Sequence, residues 1–222
     1  MTTYALNGLG RIGKLALRPL LERGAKIAFI NEVLGDPEMH AHLLQFDSVH
    51  GRWHADFSTD ESSITIDGIQ IPVTKESNLQ NLSLDGVDVV IDCTGAFKTK
   101  LKLSPYFSGG VKKVVVSAPI EDRMTANIVY GVNENTYDSN THKIITAASC
   151  TTNSLAPVVK VLMEGIGIKH GAFTTIHNVT NTQTIVDRPS RDLRRARSAL
   201  NNLIPTSTGS ADAIMLIYPK LK

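Results

Sequence analysis

The chain has 222 residues, of which 42% are hydrophobic, so it can bury one large core or two modest ones. Its 23 Lys and Arg against 21 Asp and Glu leave a net charge of +2, which gives no general attraction to nucleic acid. The two cysteines form no CxxC pair and argue against a disulfide framework or a zinc site. No signal-like segment opens the chain and no apolar run approaches the ~18 residues of a membrane helix, so we expect a cytoplasmic protein without a membrane partner.

The first thirty or so residues predict a strand, a glycine turn, a helix and a second strand. Tyr4–Asn7 and Ile27–Ile30 are short apolar runs, and Gly10–Glu22 has helical periodicity. Parallel strands joined by a crossover helix form a βαβ unit, in which the helix packs on the sheet. The inner face of the helix is predicted to carry Ile12, Leu15, Ala16, Leu20 and Leu21.

Gly8, Gly10 and Gly13 satisfy GxGxxG between the first strand and the helix. The first glycine permits the tight turn, the second lets backbone approach a pyrophosphate, and the third allows close packing of helix on strand. The context favours dinucleotide binding over a simple turn.

Glu32 ends the second strand, where a carboxylate accepts hydrogen bonds from ribose hydroxyls and repels a 2′-phosphate. We therefore expect NAD rather than NADP, with a solvated carboxylate as the alternative and Arg188 able to offset the preference.

The next elements extend this domain. Ser63–Val73 alternates around Asp67 and Gly68 and predicts a hairpin. Three apolar runs predict parallel strands covered on both faces: Val87–Asp92, Val114–Ser117 and Ile144–Thr146. Residues 1–149 are thus predicted to form an α/β domain with a doubly wound parallel sheet of the Rossmann type. Cys93 ends one of the strands, and we interpret it as a buried apolar thiol.

The pentapeptide SCTTN, from Ser149 to Asn153, precedes a helical pattern over Thr151–Met163. A cysteine at a helix N-terminus is a candidate nucleophile, because the backbone N–H groups and the helix dipole favour the thiolate over the thiol. The same N–H groups bind phosphate. The interior face is predicted to carry Leu155, Val158, Val159 and Leu162.

Ile168–Val179 alternates as a strand and contains His177. The activated thiol of Cys150 needs a proton acceptor, for which His177 is the candidate. From the residues alone, a satisfied core histidine is an equally good interpretation. The strand has no evident partner except Ala213–Tyr218, which could equally be helical. Residues 150–222 are predicted to form a partial α+β catalytic domain.

Four motifs together resemble the glyceraldehyde-3-phosphate dehydrogenase family: NGLGRIG, SCTTN, TTIHNVTNTQ and the STG that ends at Gly209. The resemblance implies that His177 pairs with Cys150, and it favours the catalytic interpretation of both. It implies cofactor contacts by Gly8, Gly10, Arg11, Ile12, Gly13, Glu32, Thr94, Gly95 and Ser117. It further implies an inorganic anion held by Ser149, Thr151, Thr208 and Gly209, and a substrate phosphate bound with the help of Thr180. The hydroxyl of Thr182 is a further candidate phosphate ligand.

The resemblance implies phosphorylating oxidation of glyceraldehyde 3-phosphate, with NAD reduction, a cysteine thioester, no metal and a homotetramer. VTNTQTIVDRP and LRRAR are similar to the branch associated with arsenate resistance, so arsenate is an alternative to phosphate as the attacking anion. The arginine run from Arg188 to Arg197 is interpreted as a solvated or intersubunit loop rather than a nucleic-acid patch.

The family continues beyond the STG motif, so we expect a C-terminally truncated chain, and a catalytically impaired NAD-binding fragment is one alternative. An aspartate-semialdehyde dehydrogenase-like reductase is the other.

Overall fold

The computed structural model describes residues 1–122 and 124–221, and the chain divides into two compact units, Met1–Ser149 and Cys150–Lys222. Its helices are α1 (Arg11–Glu22), α2 (Pro37–Gln45), α3 (Lys100–Ser108), α4 (Cys150–Gly165) and α5 (Ser210–Ile217). Its strands are β1 (Thr3–Asn7), β2 (Lys26–Asn31), β3 (Phe46–Asp47), β4 (Gly51–Arg52), β5 (Phe57–Thr59), β6 (Ser63–Ile66), β7 (Ile69–Thr74), β8 (Val89–Asp92), β9 (Lys113–Val116), β10 (Thr125–Asn127) and β11 (Ile144–Thr146). Among these described residues, no helix is long and apolar enough to cross a membrane.

The first unit is built on a large, mostly parallel sheet, which confirms the predicted Rossmann-type α/β class. In the described chain its strand order is β10-β11-β9-β8-β1-β2-β7-β6-β5, and only the pairs β7–β6 and β6–β5 are antiparallel. From β1 the chain first proceeds outward through β2 and then returns to β8 on the opposite side of β1. The order of the strands therefore reverses between β1 and β8, and ligands of such sheets bind at this point, outside the carboxyl ends of the strands.

The two faces of this sheet bury separate hydrophobic clusters. Successive residues of a strand point to opposite faces; accordingly Leu6 packs with Leu17 of α1 and Leu44 of α2, whereas Ala5 packs with Leu103 of α3. Helices therefore cover both faces, as continuous apolar strands require. Packing on both faces thus holds the strands in place, and with them the residues that follow the carboxyl ends of the strands.

Local sequence explains several element boundaries. The hairpin β6–β7 turns at Asp67 (φ 49°) and Gly68 (φ 80°), a pair of left-handed conformations that matches the twist of the two strands. Asp36 begins α2 by accepting a hydrogen bond from the Met39 N–H, and Pro37 follows as its first residue. The predicted hairpin and the predicted strand Ile144–Thr146 are confirmed.

Two predicted helix faces are partly wrong. Ile12 is 53% exposed, and Leu17 is the fully buried residue of α1 in its place. In α4, Val158 and Leu162 are 54% and 41% exposed, whereas Ala156 and Thr152 are buried. In both helices a stripe of residues next to the predicted one faces inward. Periodicity did not predict this, because apolar residues on more than half of the circumference leave the rotation of a helix undetermined.

The second unit contains α4 and α5, which contact each other. Ile214 and Ile217 of α5 are buried, and the Tyr218 hydroxyl donates to the Ala156 carbonyl oxygen at 3.1 Å. The predicted helix of this unit and its helical alternative for Ala213–Tyr218 are confirmed.

The predicted strand at Ile168–Val179 is wrong. These residues have no regular structure, and every residue from 171 to 180 is exposed. A strand requires a neighbour for its backbone N–H and C=O groups. In the described part of the second unit, the sole β-pairing is an isolated bridge between Thr184 and Ser198.

Candidate functional site

The carboxyl ends of β1, β2, β8 and β9 form one edge of the sheet, here called the carboxyl edge. The ladder of hydrogen bonds continues one residue past each strand: the Gly8 N–H donates to the Asn31 carbonyl at 2.8 Å, and the Cys93 N–H donates to the Asn7 carbonyl at 2.7 Å. The Ser117 N–H donates to the Asp92 carbonyl at 2.9 Å. Gly8, Glu32, Thr94 and Ser117 therefore lie along the same edge, close to the point at which the strand order reverses.

Each glycine of the GxGxxG motif has a different environment. Gly8 has a φ of 92°, and a Cβ there would lie 2.7 Å from the backbone of Cys93 and Thr94. A Cβ at Gly13 would lie 2.0 Å from the Gly8 carbonyl oxygen, so α1 approaches β1 as closely as backbone allows. A Cβ at Gly10 would meet no atom within 4 Å. The space over Gly10, at the N-terminus of α1, is therefore open and fits a pyrophosphate approached by backbone.

The Glu32 carboxylate connects β2 to this glycine loop. Its Oε2 accepts from the Leu9 N–H at 2.7 Å and its Oε1 accepts from the Leu34 N–H at 3.1 Å. Each oxygen keeps a further lone pair that can accept from a ribose hydroxyl. The carboxylate thus has a fixed orientation before any ligand arrives.

The Lys14 and His40 side chains contact backbone carbonyl groups on either side of Glu32 in sequence. The Lys14 ammonium donates to the Leu9 carbonyl and lies 3.2 Å from His40 Nδ1, while His40 Nε2 contacts the Leu34 carbonyl at 2.6 Å. Burial lowers the pKa of Lys14, and the nearby Glu32 charge opposes that shift. His40 is 7% exposed and packs within the first unit.

Two predicted cofactor residues, Arg11 and Ile12, are exposed beside the glycine turn. The exposed Arg11 guanidinium pairs with both carboxylate oxygens of Asp47. Hydrogen bonds from the His50 N–H and from Arg11 hold the pKa of Asp47 well below its usual range. Ile12 is exposed on the outer side of the first turn of α1. Both side chains thus lie at the surface, and the Arg11 guanidinium is engaged with Asp47.

Thr94 and Cys93 differ sharply in their surroundings. The Thr94 N–H and hydroxyl both donate to Asp92 Oδ1, at 3.0 and 2.7 Å, and the Thr94 hydroxyl oxygen accepts from the Ala96 N–H at 3.1 Å. Burial raises the pKa of Cys93 to about 11, and a hydrogen bond from Ser117 opposes the shift. Cys93 is thus a neutral, partly buried thiol, while Thr94 and Gly95 lie at the surface.

Sequence reasoning missed the polar residues that lie beneath this edge. Asp92, Tyr106 and Asn7 are buried and joined by hydrogen bonds. Burial raises the pKa of Asp92, and the hydrogen bonds donated by Thr94 and Tyr106 oppose that shift. The available signal was a polar residue at the last position of each of three apolar strands, Asn7, Asn31 and Asp92.

The second unit brings together Cys150, Thr151 and His177. Helix α4 begins at Cys150, whose exposed sulfur lies 3.7 Å from His177 Nε2. The Thr151 hydroxyl lies 3.0 Å from the same ring nitrogen. His177 is itself exposed, so the alternative of a core histidine is wrong. A thiol at a helix N-terminus with an imidazole in reach has the composition of an activated nucleophile.

The remaining hydroxyls form two further groups. Thr180 Oγ1 lies 3.0 Å from Thr182 Oγ1 and donates to Gln183 Oε1 at 2.7 Å. Thr208 Oγ1 lies 2.6 Å from Ser210 Oγ, next to Gly209, which precedes α5. The predicted anion ligands Thr151 and Gly209 therefore lie at the starts of α4 and α5, and Ser149 immediately precedes α4.

Two carboxylates compensate part of the positive charge of the arginine run. Arg194 donates twice to Asp192, at 3.0 Å each, and Arg197 lies 3.2 Å from Asp187. Arg195 donates to Thr206 Oγ1 at 2.6 Å. The local positive charge of this segment is thus reduced by the acidic residues interleaved with it.

The two cysteines should differ strongly in reactivity. We expect iodoacetamide to label Cys150 much faster than Cys93 at pH 7, because a thiol whose pKa is about 11 is only about one part in ten thousand thiolate at that pH. Labelling of Cys93 should accelerate as the pH rises toward 11. Mass spectrometry of peptides at timed quenches measures both rates, with unfolded protein as the control. Equal rates in the folded protein would contradict this expectation.

Comparison with known proteins agrees with this geometry. Residues 2–100 match the NAD binding domain of the glyceraldehyde 3-phosphate dehydrogenases, and residues 149–222 match the C-terminal domain of the same family. The chain is 51% identical to glyceraldehyde-3-phosphate dehydrogenase 3 of Nostoc sp. and 48% identical to the Streptomyces coelicolor enzyme. Each alignment covers 98% of this chain and 65% of the relative.

Glyceraldehyde-3-phosphate dehydrogenase 1 of Bacillus cereus is 45% identical, over 100% of this chain and 67% of its own length. The chain thus spans about two thirds of the length of the curated relatives that it matches. Both of its units are covered by matches to one family, as the four motifs indicated. The chain belongs to the glyceraldehyde-3-phosphate dehydrogenase family.

Proposed function

We propose that this chain takes part in the phosphorylating oxidation of glyceraldehyde 3-phosphate, with NAD as the oxidant and a thioester on Cys150 as the intermediate. The observation that carries the proposal is the contact between Cys150 Sγ, at the first residue of α4, and His177 Nε2 at 3.7 Å. The family membership and the names of the relatives support the substrate class.

The chemistry begins with the proton of the Cys150 thiol. His177 accepts it, and the thiolate adds to the aldehyde carbon to form a thiohemiacetal. His177 then donates to the oxyanion that develops on the former carbonyl oxygen. The backbone N–H groups of the first turn of α4 stabilise the sulfur anion before the attack.

The residues of the carboxyl edge fit a bound NAD. Gly8 and Gly10 would receive the pyrophosphate, and Glu32 would accept from the adenosine ribose. Bound NAD supplies the acceptor for the hydride that leaves the thiohemiacetal. As the hydride leaves, His177 takes the hydroxyl proton back, so what remains on Cys150 is a thioester. An oxyanion can then attack the acyl carbon, with the Cys150 thiolate as the leaving group.

We propose that Ser149, Thr151, Thr208 and Gly209 hold the attacking anion, and that Thr180 and Thr182 hold the phosphate of the substrate. Hydroxyl and backbone N–H groups at helix N-termini donate to such oxygens. Phosphate is the proposed acceptor and arsenate the alternative, since both have the same shape and similar charge. The proposal includes a homotetramer in the cytoplasm, where the free thiols of Cys93 and Cys150 stay reduced.

The test is to mix the chain with NAD and glyceraldehyde 3-phosphate, first without an oxyanion and then with phosphate or arsenate alone. We expect a covalent acyl group on Cys150 by mass spectrometry, formation of NADH, and release of the acyl group when the anion is added. Cys150→Ala is the control. NAD binding without acylation would leave only a nucleotide-binding function, and acylation that no oxyanion discharges would exclude phosphorylating chemistry.

The cofactor preference should depend on Glu32. Glu32→Ala should weaken NAD binding about ten- to hundredfold, the range for a lost hydrogen bond to a charged group. It should also reduce discrimination against NADP, because the repelling charge is removed. Calorimetric titration with both nucleotides measures the two affinities.

Glu32→Gln is the matched control, since it keeps the shape and one acceptor but removes the charge. We expect it to retain part of the NAD affinity while accepting NADP better than the parent chain does. A parent chain that binds NADP more tightly than NAD would contradict the assignment and direct attention to Arg188.

A further inference from the structure

A chain of buried hydrogen bonds crosses the first unit beneath the carboxyl edge. Asn31 Nδ2 donates to Asn7 Oδ1 at 2.8 Å, Asn7 Nδ2 donates to the Tyr106 hydroxyl oxygen at 2.5 Å, and that hydroxyl donates to Asp92 Oδ2 at 2.8 Å. Thr94 completes the chain through its two bonds to Asp92 Oδ1. The hydrogen bonds are therefore donated toward the Asp92 carboxylate from both ends of the series.

This series of hydrogen bonds starts in the core and ends at the surface. Asp92 and Tyr106 are each 0% exposed and Asn7 is 2% exposed, whereas Thr94 and Gly95 are exposed. A buried carboxylate is costly unless it is well hydrogen-bonded, and Asp92 accepts three hydrogen bonds. Two of the three hydrogen bonds that Asp92 accepts therefore come from one exposed residue, Thr94.

Thr94 is constrained by two neighbours. Asp92 accepts hydrogen bonds from its N–H and from its hydroxyl. Gly8 lies so close that a Cβ there would be 2.7 Å from the Thr94 nitrogen. Because the only hydroxyl proton of Thr94 is given to Asp92, this side chain has no proton left to donate to a ligand.

We propose that Tyr106 and Asp92 are positioning residues that hold the Thr94–Gly95 backbone in the conformation that receives NAD. Thr94 acts through its backbone, and its hydroxyl is an internal bond rather than a ligand contact. The inference rests on the proposed NAD site at the carboxyl edge. It assigns a cofactor-related role to two buried residues that touch no cofactor.

The test measures NAD affinity by calorimetry for the parent chain, Tyr106→Phe, Thr94→Val and the double variant. Tyr106→Phe should weaken NAD binding about tenfold, the factor expected when the binding-competent conformation falls to about a tenth of the population. Thr94→Val should do the same, and Tyr106→Phe should add less than about twofold to it, because effects that act through one shared chain are not additive.

Two controls separate positioning from general stability. Ser63→Ala removes a buried hydroxyl that donates to Asp60 Oδ2 at 2.6 Å in the distant hairpin, and it should lower the Tm without changing NAD affinity. Thr94→Ser keeps the hydroxyl and should retain the affinity of the parent chain. If Tyr106→Phe does not fold, Asp92→Asn takes its place, because an amide presents a donor where Thr94 or Tyr106 needs an acceptor. A folded Asp92→Asn chain that binds NAD like the parent chain would overturn the positioning role.

The outcomes are distinguishable. A parent chain that does not bind NAD overturns the proposed cofactor site itself. A parent chain that binds NAD, with folded Tyr106→Phe and Thr94→Val binding equally well, overturns only the positioning role. Additive losses in the double variant also overturn it, since they would show that Tyr106 does not act through Thr94.

Discussion

Replacement of His177 by asparagine should slow acylation of Cys150 by glyceraldehyde 3-phosphate by roughly two to four orders of magnitude, the usual contribution of a general acid–base group. Asparagine retains hydrogen-bonding capacity but cannot accept the thiol proton at neutral pH. The structure gives His177 Nε2 two neighbours, Cys150 Sγ at 3.7 Å and Thr151 Oγ1 at 3.0 Å. Rapid-quench mass spectrometry of the acylated chain measures the rate, and alkylation of Cys150 by iodoacetamide should slow in parallel.

His170→Asn is the matched control, because His170 is exposed on the same irregular segment and no role is assigned to it. It should acylate at the parental rate. An unchanged rate in His177→Asn would mean that another group removes the proton, and it would leave the observed contact without a catalytic purpose.

Alanine at Gly13 should destabilise the first unit by about 3 kcal/mol or more, near the upper end of the range for overpacked cores. The added methyl would lie 2.0 Å from the Gly8 carbonyl oxygen, so α1 must move away from the end of β1. Chemical denaturation measures the loss of unfolding free energy. NAD binding should be lost together with the geometry of the loop.

Alanine at Gly10 is the informative counterpart. Its φ of −70° suits any residue and its Cβ would meet no atom within 4 Å, so the unfolding free energy should change little. NAD affinity should nevertheless fall about five- to a hundred-and-fifty-fold, which corresponds to about 1–3 kcal/mol for a methyl in occupied space. Unimpaired NAD binding by Gly10→Ala would show that the open space over Gly10 does not receive the pyrophosphate.

Local patterns predicted α1 and most strands of the first unit, but they did not predict α2 or α3. Ile144–Thr146 and the Asp67–Gly68 turn were predictable because an apolar run or a turn residue determines its own conformation. The three glycines were equally readable, since a positive φ at Gly8 and the missing side chain at Gly13 are local requirements. Cys150 at the start of α4 follows from the same kind of local signal.

Features that depend on distant partners were not predictable. Ile168–Val179 alternates like a strand, but alternation specifies a face and supplies no neighbour to bind its backbone. Tyr106 and Asp92 are 14 residues apart and lie on a helix and a strand, so nothing in the spacing indicates their 2.8 Å hydrogen bond. The rotation of α1, with Leu17 inward and Ile12 outward, likewise depends on what the helix meets.

The strand order also determines when the centre of the sheet can be completed during synthesis. β1 can pair with β2 shortly after both have been synthesised. Its other neighbour, β8, begins only at Val89, so more than half of the first unit must be synthesised before Tyr4 gains its second partner. At about 5–20 residues per second, the innermost strand spends several seconds on the ribosome with one row of backbone groups unpaired. Such an edge can pair with other chains. The central strand of the folded sheet is therefore open to pairing with wrong partners for longer than β2 is while the protein is being made.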